Sequence, residues 1–248
     1  STMNDNFEVG SVNIEENGLN QPPYVLPPGI DRQVLSGNAG AQRQNEASLY
    51  MKVKNMREEA RGVFKNTSLD MRRYKKLKLF LHAENLDDPT LSKVDNNLKF
   101  FIRFGSDATD NYYEYEASVK YTANTATAPL EIWPVENDVD FAIQDFVDAK
   151  IRRDKQSPNN ITVRTRDAQF SHDNKDIYIK GRPSLGNIAT IMIGVRTLPR
   201  GEINSKGRVF WVNEIRLSEI ENDGGYAGNA SLNFNLGDFA TVNTSASY

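Results

Sequence analysis

A two-residue alternation of apolar and polar side chains recurs along this chain from position 46 onward, and it limits the fold more than any other feature. Leu49, Met51 and Val53 alternate with Tyr50, Lys52 and Lys54. Leu77, Leu79, Leu81 and Ala83 alternate with Lys78, Phe80, His82 and Glu84. Leu98, Phe100, Ile102 and Phe104 alternate with Lys99, Phe101, Arg103 and Gly105, and Tyr113, Tyr115, Ala117, Val119 and Tyr121 continue the rule. Successive side chains of a strand point to opposite faces, so each run predicts a strand with one core face. Further strands are expected at 161–165, 176–180, 188–196 and 209–217, the last with Val209, Trp211, Asn213, Ile215 and Leu217 on one face.

One segment breaks the rhythm. Ile143, Phe146, Val147 and Ile151 recur at helical spacing and Pro158 ends the run, so a short helix is expected there. Residues 55–60 offer a second, weaker helical pattern. Eight or nine strands, irregular turns and one short helix predict a mainly β fold. The expected form is an antiparallel, jelly-roll-like β-sandwich spanning 46–222. Before it, residues 1–45 read as an extended Pro/Gly-rich arm. The run Pro22-Pro23-Tyr24-Val25-Leu26-Pro27-Pro28-Gly29 fits neither a helix interior nor a central strand. Pro27 and Pro28 are therefore candidate contacts to a partner surface.

The tail, 223–248, carries a cleaner alternation. Ala230, Leu232, Phe234 and Leu236 alternate with Ser231, Asn233, Asn235 and Gly237, and Ala240, Val242, Thr244, Ala246 and Tyr248 form a second run. A sheet with lipid on one face and water on the other shows this pattern over about 10 residues per strand. A half-buried hairpin of a soluble sheet gives the same alternation. Because the pattern runs to Tyr248, the chain is expected to be a piece of something larger, its tail leading into a barrel strand.

Composition removes several function classes. The formal net charge is −3, without the Lys/Arg excess of a nucleic-acid binder or a polybasic membrane binder. The absence of cysteine excludes disulfides, thiolate metal sites and cysteine nucleophiles. No apolar run approaches the roughly 20 residues of a spanning helix. His82 and His172 are the two histidines. His82 falls on the polar side of its strand, where an exposed imidazole is expected, and His172 falls in a turn. No nucleophile elbow, phosphate loop or dinucleotide motif is present. No catalytic residue, cofactor or metal site is therefore expected. Acidic loops such as Asp107 with Asp110 read as solvated, and the basic runs at 72–78 and 150–155 as a guarded strand edge and a solvated helix face. Among the aromatics, Tyr112 has the parity to point outward, which makes it a candidate ligand contact of the kind that stacks on a sugar.

Several segments together resemble the giant outer-membrane translocon of the Bacteroidetes type IX secretion system, the SprA/Sov family. They are Pro23-Tyr-Val-Leu-Pro-Pro-Gly-Ile-Asp-Arg32, Arg73-Tyr-Lys-Lys-Leu-Lys-Leu-Phe-Leu-His-Ala-Glu84 and Asn111-Tyr-Tyr-Glu-Tyr-Glu116. Trp211-Val-Asn-Glu-Ile-Arg-Leu-Ser-Glu219 and Leu236-Gly-Asp-Phe-Ala-Thr-Val-Asn243 complete the set, which spreads over nearly the whole chain. The resemblance implies a protein-conducting β-barrel for folded cargo, including motility adhesins, with large soluble insertions between its strands. This chain would be one such non-catalytic insertion at the barrel mouth, on the cell-surface side of the outer membrane, with the periplasmic side as the other option. Its implied partners are the parent barrel, other secretion-system components and transiting cargo; contact with the membrane would come only through the barrel. A carbohydrate-binding module of a surface protein is the alternative reading, and it leans on Tyr112.

Overall fold

The computed structural model describes residues 6–31, 34–35, 42–43, 46–170, 172, 174–218 and 240–244. Its strands, numbered along the chain, form two main layers. The first is a seven-stranded sheet in the order β12 (Thr165–Arg166), β13 (Lys175–Lys180), β10 (Tyr112–Lys120), β9 (Val94–Gly105), β14 (Ile188–Thr197), β6 (Ala60–Leu69) and β18 (Ala240–Thr244). The second begins as a four-stranded sheet ordered β1 (Phe7–Asn13), β4 (Ala47–Val53), β16 (Arg208–Val212) and β8 (Leu81–Asn85). It continues as a three-stranded sheet ordered β11 (Val139–Ala142), β7 (Lys76–Leu79) and β17 (Arg216–Ser218). Short ladders join β2 (Val34–Leu35) to β3 (Gln42–Arg43) and β5 (Met56–Arg57) to β15 (Glu202–Ile203). Every ladder among the described residues is antiparallel, as the hairpin-rich sequence predicts.

The core lies between the layers and takes its side chains from the apolar sets of the alternating runs. Leu49, Met51, Leu81, Ala83 and Phe210 come from one layer, and Phe100, Ile102, Tyr115, Ile193 and Val195 from the other; all are buried in one cluster. Burying each such side chain contributes about 1.5–3 kcal/mol, which is why the period-two signal decides the architecture.

The two parts of the second layer meet at a bulge. Val212 pairs with Leu81 and Arg216 pairs with Lys78, so one strand spends one more residue than its neighbour. Asn213 turns out of the ladder there, and its N–H donates to the Phe80 carbonyl at 3.0 Å. The extra residue flips side-chain parity. Val209 and Trp211 therefore face outward while Ile215 and Leu217 enter the core, which corrects the expectation of one shared face.

Three other expectations change. Residues 55–60 form no helix: Met56–Arg57 make β5 and Ala60 opens β6. The arm is not irregular throughout, since Phe7–Asn13 pair with β4 as an edge strand and α1 (Ile14–Asn17) follows. The helix predicted near 143–151 is α3 (Gln144–Gln156), but its buried face is Phe146, Ala149 and Arg153, and Ile151 is 47% exposed. Arg153 displaces the apolar residue because its guanidinium has acceptors waiting: Nη2 donates to the Gly181 carbonyl at 2.7 Å. In the tail, residues 240–244 lie antiparallel to β6, with Ala240 opposite Phe64 and Thr244 opposite Ala60. The first alternating tail run, 230–237, lies outside the described residues.

Candidate functional site

Both outer faces of the sandwich carry polar sequence, yet both are largely covered, and the candidate site is an opening in one of those covers. On the outer face of the four-stranded sheet, Gly10, Tyr50, Trp211 and His82 stand in one cross-strand row, set by the pairs Gly10–Tyr50, Trp211–Tyr50 and Trp211–His82. Above this row pack the proline-rich segment and α2 (Pro129–Ile132), with Val12, Tyr24, Phe80, Ile132, Trp133, Val209 and Trp211 in a second apolar cluster. Trp133 Nε1 donates to the Val25 carbonyl at 2.8 Å, and Tyr24 Oη meets Ser48 Oγ at 2.8 Å. Burial pushes the Tyr24 phenol up to about 12 despite that hydroxyl contact. The proline-rich segment thus covers its own sheet. Pro27 is buried there and Pro28 is half-buried.

His82 lies inside this cover, 0% exposed, which corrects the expectation of a surface imidazole. Its ring stacks on Trp211 with centroids 3.8 Å apart. Nδ1 sits 2.7 Å from the Ile132 carbonyl, which can only accept, so Nδ1 carries a proton; Nε2 lies 3.1 Å from Glu84 Oε1. Alternation along the strand placed His82 correctly on the outer face. It could not show that residues fifty positions away close over that face.

Beside this aromatic cluster the cover parts into a cleft of about 460 Å3. Tyr50, Glu84, Leu86, Val209 and Trp211 line it from the sheet, and Asn17, Asn20, Gln21 and Pro22 from the turn after α1. That turn is built by the Asn17 carbonyl, which accepts from the N–H groups of Asn20 at 3.2 Å and Tyr24 at 3.0 Å. Burial, then the nearby Glu8 and Glu84 carboxylates, push the Tyr50 phenol up to about 12, so it stays a neutral hydroxyl. Trp211 Nε1–H is buried and finds no protein acceptor among the described residues.

The outer face of the seven-stranded sheet holds a different device. Glu114 and Glu116 are buried among Arg103, Arg164 and Arg196. Arg164 Nε donates to Glu114 Oε1 at 2.9 Å, and its Nη2 to Glu116 Oε2 at 2.7 Å. Burial would raise the Glu114 carboxyl, but the charges of Arg103, Arg196 and Arg164 outweigh it and hold the group below its ordinary value. For Glu116 burial prevails and the shift is upward. Tyr112 lies in this layer, 2% exposed, with the Arg103 guanidinium 4.2 Å from its ring centroid. The expectation that Tyr112 offers an open stacking face is therefore wrong: the ring is buried and the Arg103 guanidinium lies against it.

A second cleft, about 680 Å3, opens beside β11 and is lined by Lys76, Asp140, Phe141, Asp145 and His172 among others. Its Lys76 and Asp140 pair with each other at 2.9 Å. His172 forms an isolated bridge with Lys175, consistent with the expected turn. Among the described residues, no group of three His, Asp or Glu side chains is placed to hold a metal ion. Asp107, a candidate acidic loop residue, spends its oxygens on its own turn. It accepts from the N–H groups of Thr109 at 3.0 Å and Asn111 at 3.0 Å, and from Asn111 Nδ2 at 2.8 Å. No described helix is long and apolar enough to cross a membrane.

A family model, SprA_N, described as motility related/secretion protein, matches residues 1–248. No curated protein matches the chain.

Proposed function

The chain belongs to the SprA_N family of motility related/secretion proteins, and from that membership we propose a non-catalytic soluble insertion of a large outer-membrane β-barrel translocon. In this reading the system is type IX secretion and the sandwich stands at the barrel mouth on the cell-surface side, in contact with the parent barrel, other secretion components and passing cargo. The observation that carries the reading is the family match along the full chain. The structure is compatible with a rigid spacer. The arm is tied to its own sheet, and the seven-stranded face is closed by its own ion pairs rather than by an open ligand platform. The alternative carbohydrate-module reading based on Tyr112 loses its support, since that ring is covered.

The chain has no cysteine, so a single introduced thiol reports sidedness cleanly. Leu19 is 99% exposed. In cells making the full-length parent, Leu19→Cys should react with a membrane-impermeant maleimide while the outer membrane is intact. Labelling only after that membrane is opened would overturn the cell-surface assignment. Deleting 46–218 from the parent should stop cargo export while the barrel still reaches the outer membrane. Undiminished export would remove the functional role.

A further inference from the structure

We propose that the cleft between the α1 turn and the four-stranded sheet binds an uncharged, hydroxyl-rich ligand, the end of a glycan chain. The first reason is Trp211, which lines the cleft and whose buried indole N–H no described protein group satisfies. Leaving such a group unpaired costs free energy, so a site that supplies an acceptor is favoured. The second is the set of polar ends around it. Asn20 and Gln21 each offer a donor and an acceptor from exposed carboxamides, Tyr50 offers a neutral hydroxyl, and Glu84 offers acceptors.

Donors and acceptors thus share one cleft with the apolar side chains of Leu86 and Val209. Hydroxyl groups both donate and accept at one atom, and a sugar ring presents several of them around an apolar body. The Glu84 carboxylate disfavours an anionic ligand. An extended peptide would instead present its donors and acceptors in fixed alternation along a line. The cleft volume, about 460 Å3, lies within the usual range for small-ligand sites. This site is independent of the translocon reading, because it rests on the cleft alone.

The two tryptophans give a built-in control. Trp133 Nε1–H is bonded to Val25, whereas Trp211 Nε1–H has no protein acceptor among the described residues. The 15N-labelled 248-residue chain should be titrated with maltose, cellobiose, mannobiose and chitobiose, and in parallel with the blocked peptide acetyl-Ala-Ser-Ala-amide. At least one disaccharide should shift the Trp211 indole N–H signal saturably and leave that of Trp133 in place. Asn20→Ala with Gln21→Ala, on exposed positions, should weaken that sugar by roughly tenfold or more while the spectrum stays that of the folded protein. Trp211→Phe should weaken it too, read by calorimetry. No shift with any disaccharide, equal movement of both indoles, or an undisturbed affinity in the Asn20/Gln21 variant would overturn the site. A response to the peptide and not to the sugars would overturn the glycan assignment in favour of peptide binding.

Discussion

Arg164 Nε donates to Glu114 Oε1 at 2.9 Å across 50 residues of sequence, fastening the connection after α3 to the outer face of the seven-stranded sheet. Removing the Glu114 charge leaves three guanidiniums facing one remaining carboxylate in a buried layer. Glu114→Gln should therefore lower stability by about 3–5 kcal/mol. Arg164→Ala should cost less, since its side chain is about a quarter exposed and Arg103 and Arg196 remain on Glu114. Urea unfolding of both variants checks this, and an unchanged midpoint for Glu114→Gln would refute it.

Gly62 and Gly194 face each other across β6 and β14, and Gly194 also stands opposite Phe101. A Cβ on Gly194 would lie 2.5 Å from the Arg61 carbonyl oxygen and 2.6 Å from the Phe101 ring. Gly194→Ala should destabilise the fold by about 1–3 kcal/mol. A Cβ on Gly10 meets nothing within 4 Å, so Gly10→Ala should be neutral or slightly stabilising. Equal thermal midpoints for the two variants would contradict this packing account.

Asp107 gives the sign of one acid-sensitive contribution. Burial pushes its carboxyl up, but the Asn111 side chain and the amides of its turn outweigh burial and hold it at about 2, below its ordinary 3.8. A depressed folded value means that the contribution is complete above about pH 3.8 and is lost as pH falls toward 2. Asp107→Asn should therefore flatten the fall of stability with pH inside that window and leave the slope near neutrality unchanged. Stability measured by denaturant titration from pH 5 to pH 2, at roughly half-unit steps, decides it.

Tyr24 is the anchor of the proline-rich segment. Tyr24→Phe removes only the contact to Ser48 and should cost about 1 kcal/mol. Tyr24→Ala empties a fully buried aromatic site and should cost about 3–5 kcal/mol. The larger change should also speed hydrogen exchange at the Trp133 indole, whose acceptor Val25 is held by the same segment. Protected exchange in Tyr24→Ala would show that the segment is tied down elsewhere.

The inner faces of this fold were legible because apolar residues at period two can go nowhere but a core. The outer faces were not. Lys78, His82, Arg103 and Glu114 fall at the polar positions of their alternating runs, yet His82 and Glu114 are among the most buried of the described residues. Their covers come from distant sequence, the segment around Tyr24, the short helix at 129–132 and Arg164. No local pattern records such a meeting. A hint was present in the aromatic residues sharing those polar faces: Tyr50, Phe80 and Phe101 are poor choices for bare solvent. The parity flip at Asn213 was likewise invisible, since a one-residue bulge leaves the composition of a strand unchanged. The cleft residues Asn20 and Gln21 sat in sequence that reads only as loop, and nothing in them pointed to Trp211 far along the chain.

The peripheral seats of β1 and β18 have a mechanical consequence. Among the described residues each stands at one edge of its sheet, held by one neighbour, β4 or β6, while the strands inside the two sheets are braced on both flanks. Tension transmitted along the polypeptide would strip these two margins first and leave the interior strands joined. The domain could then lengthen under load and recoil without losing its centre, as a shock absorber does.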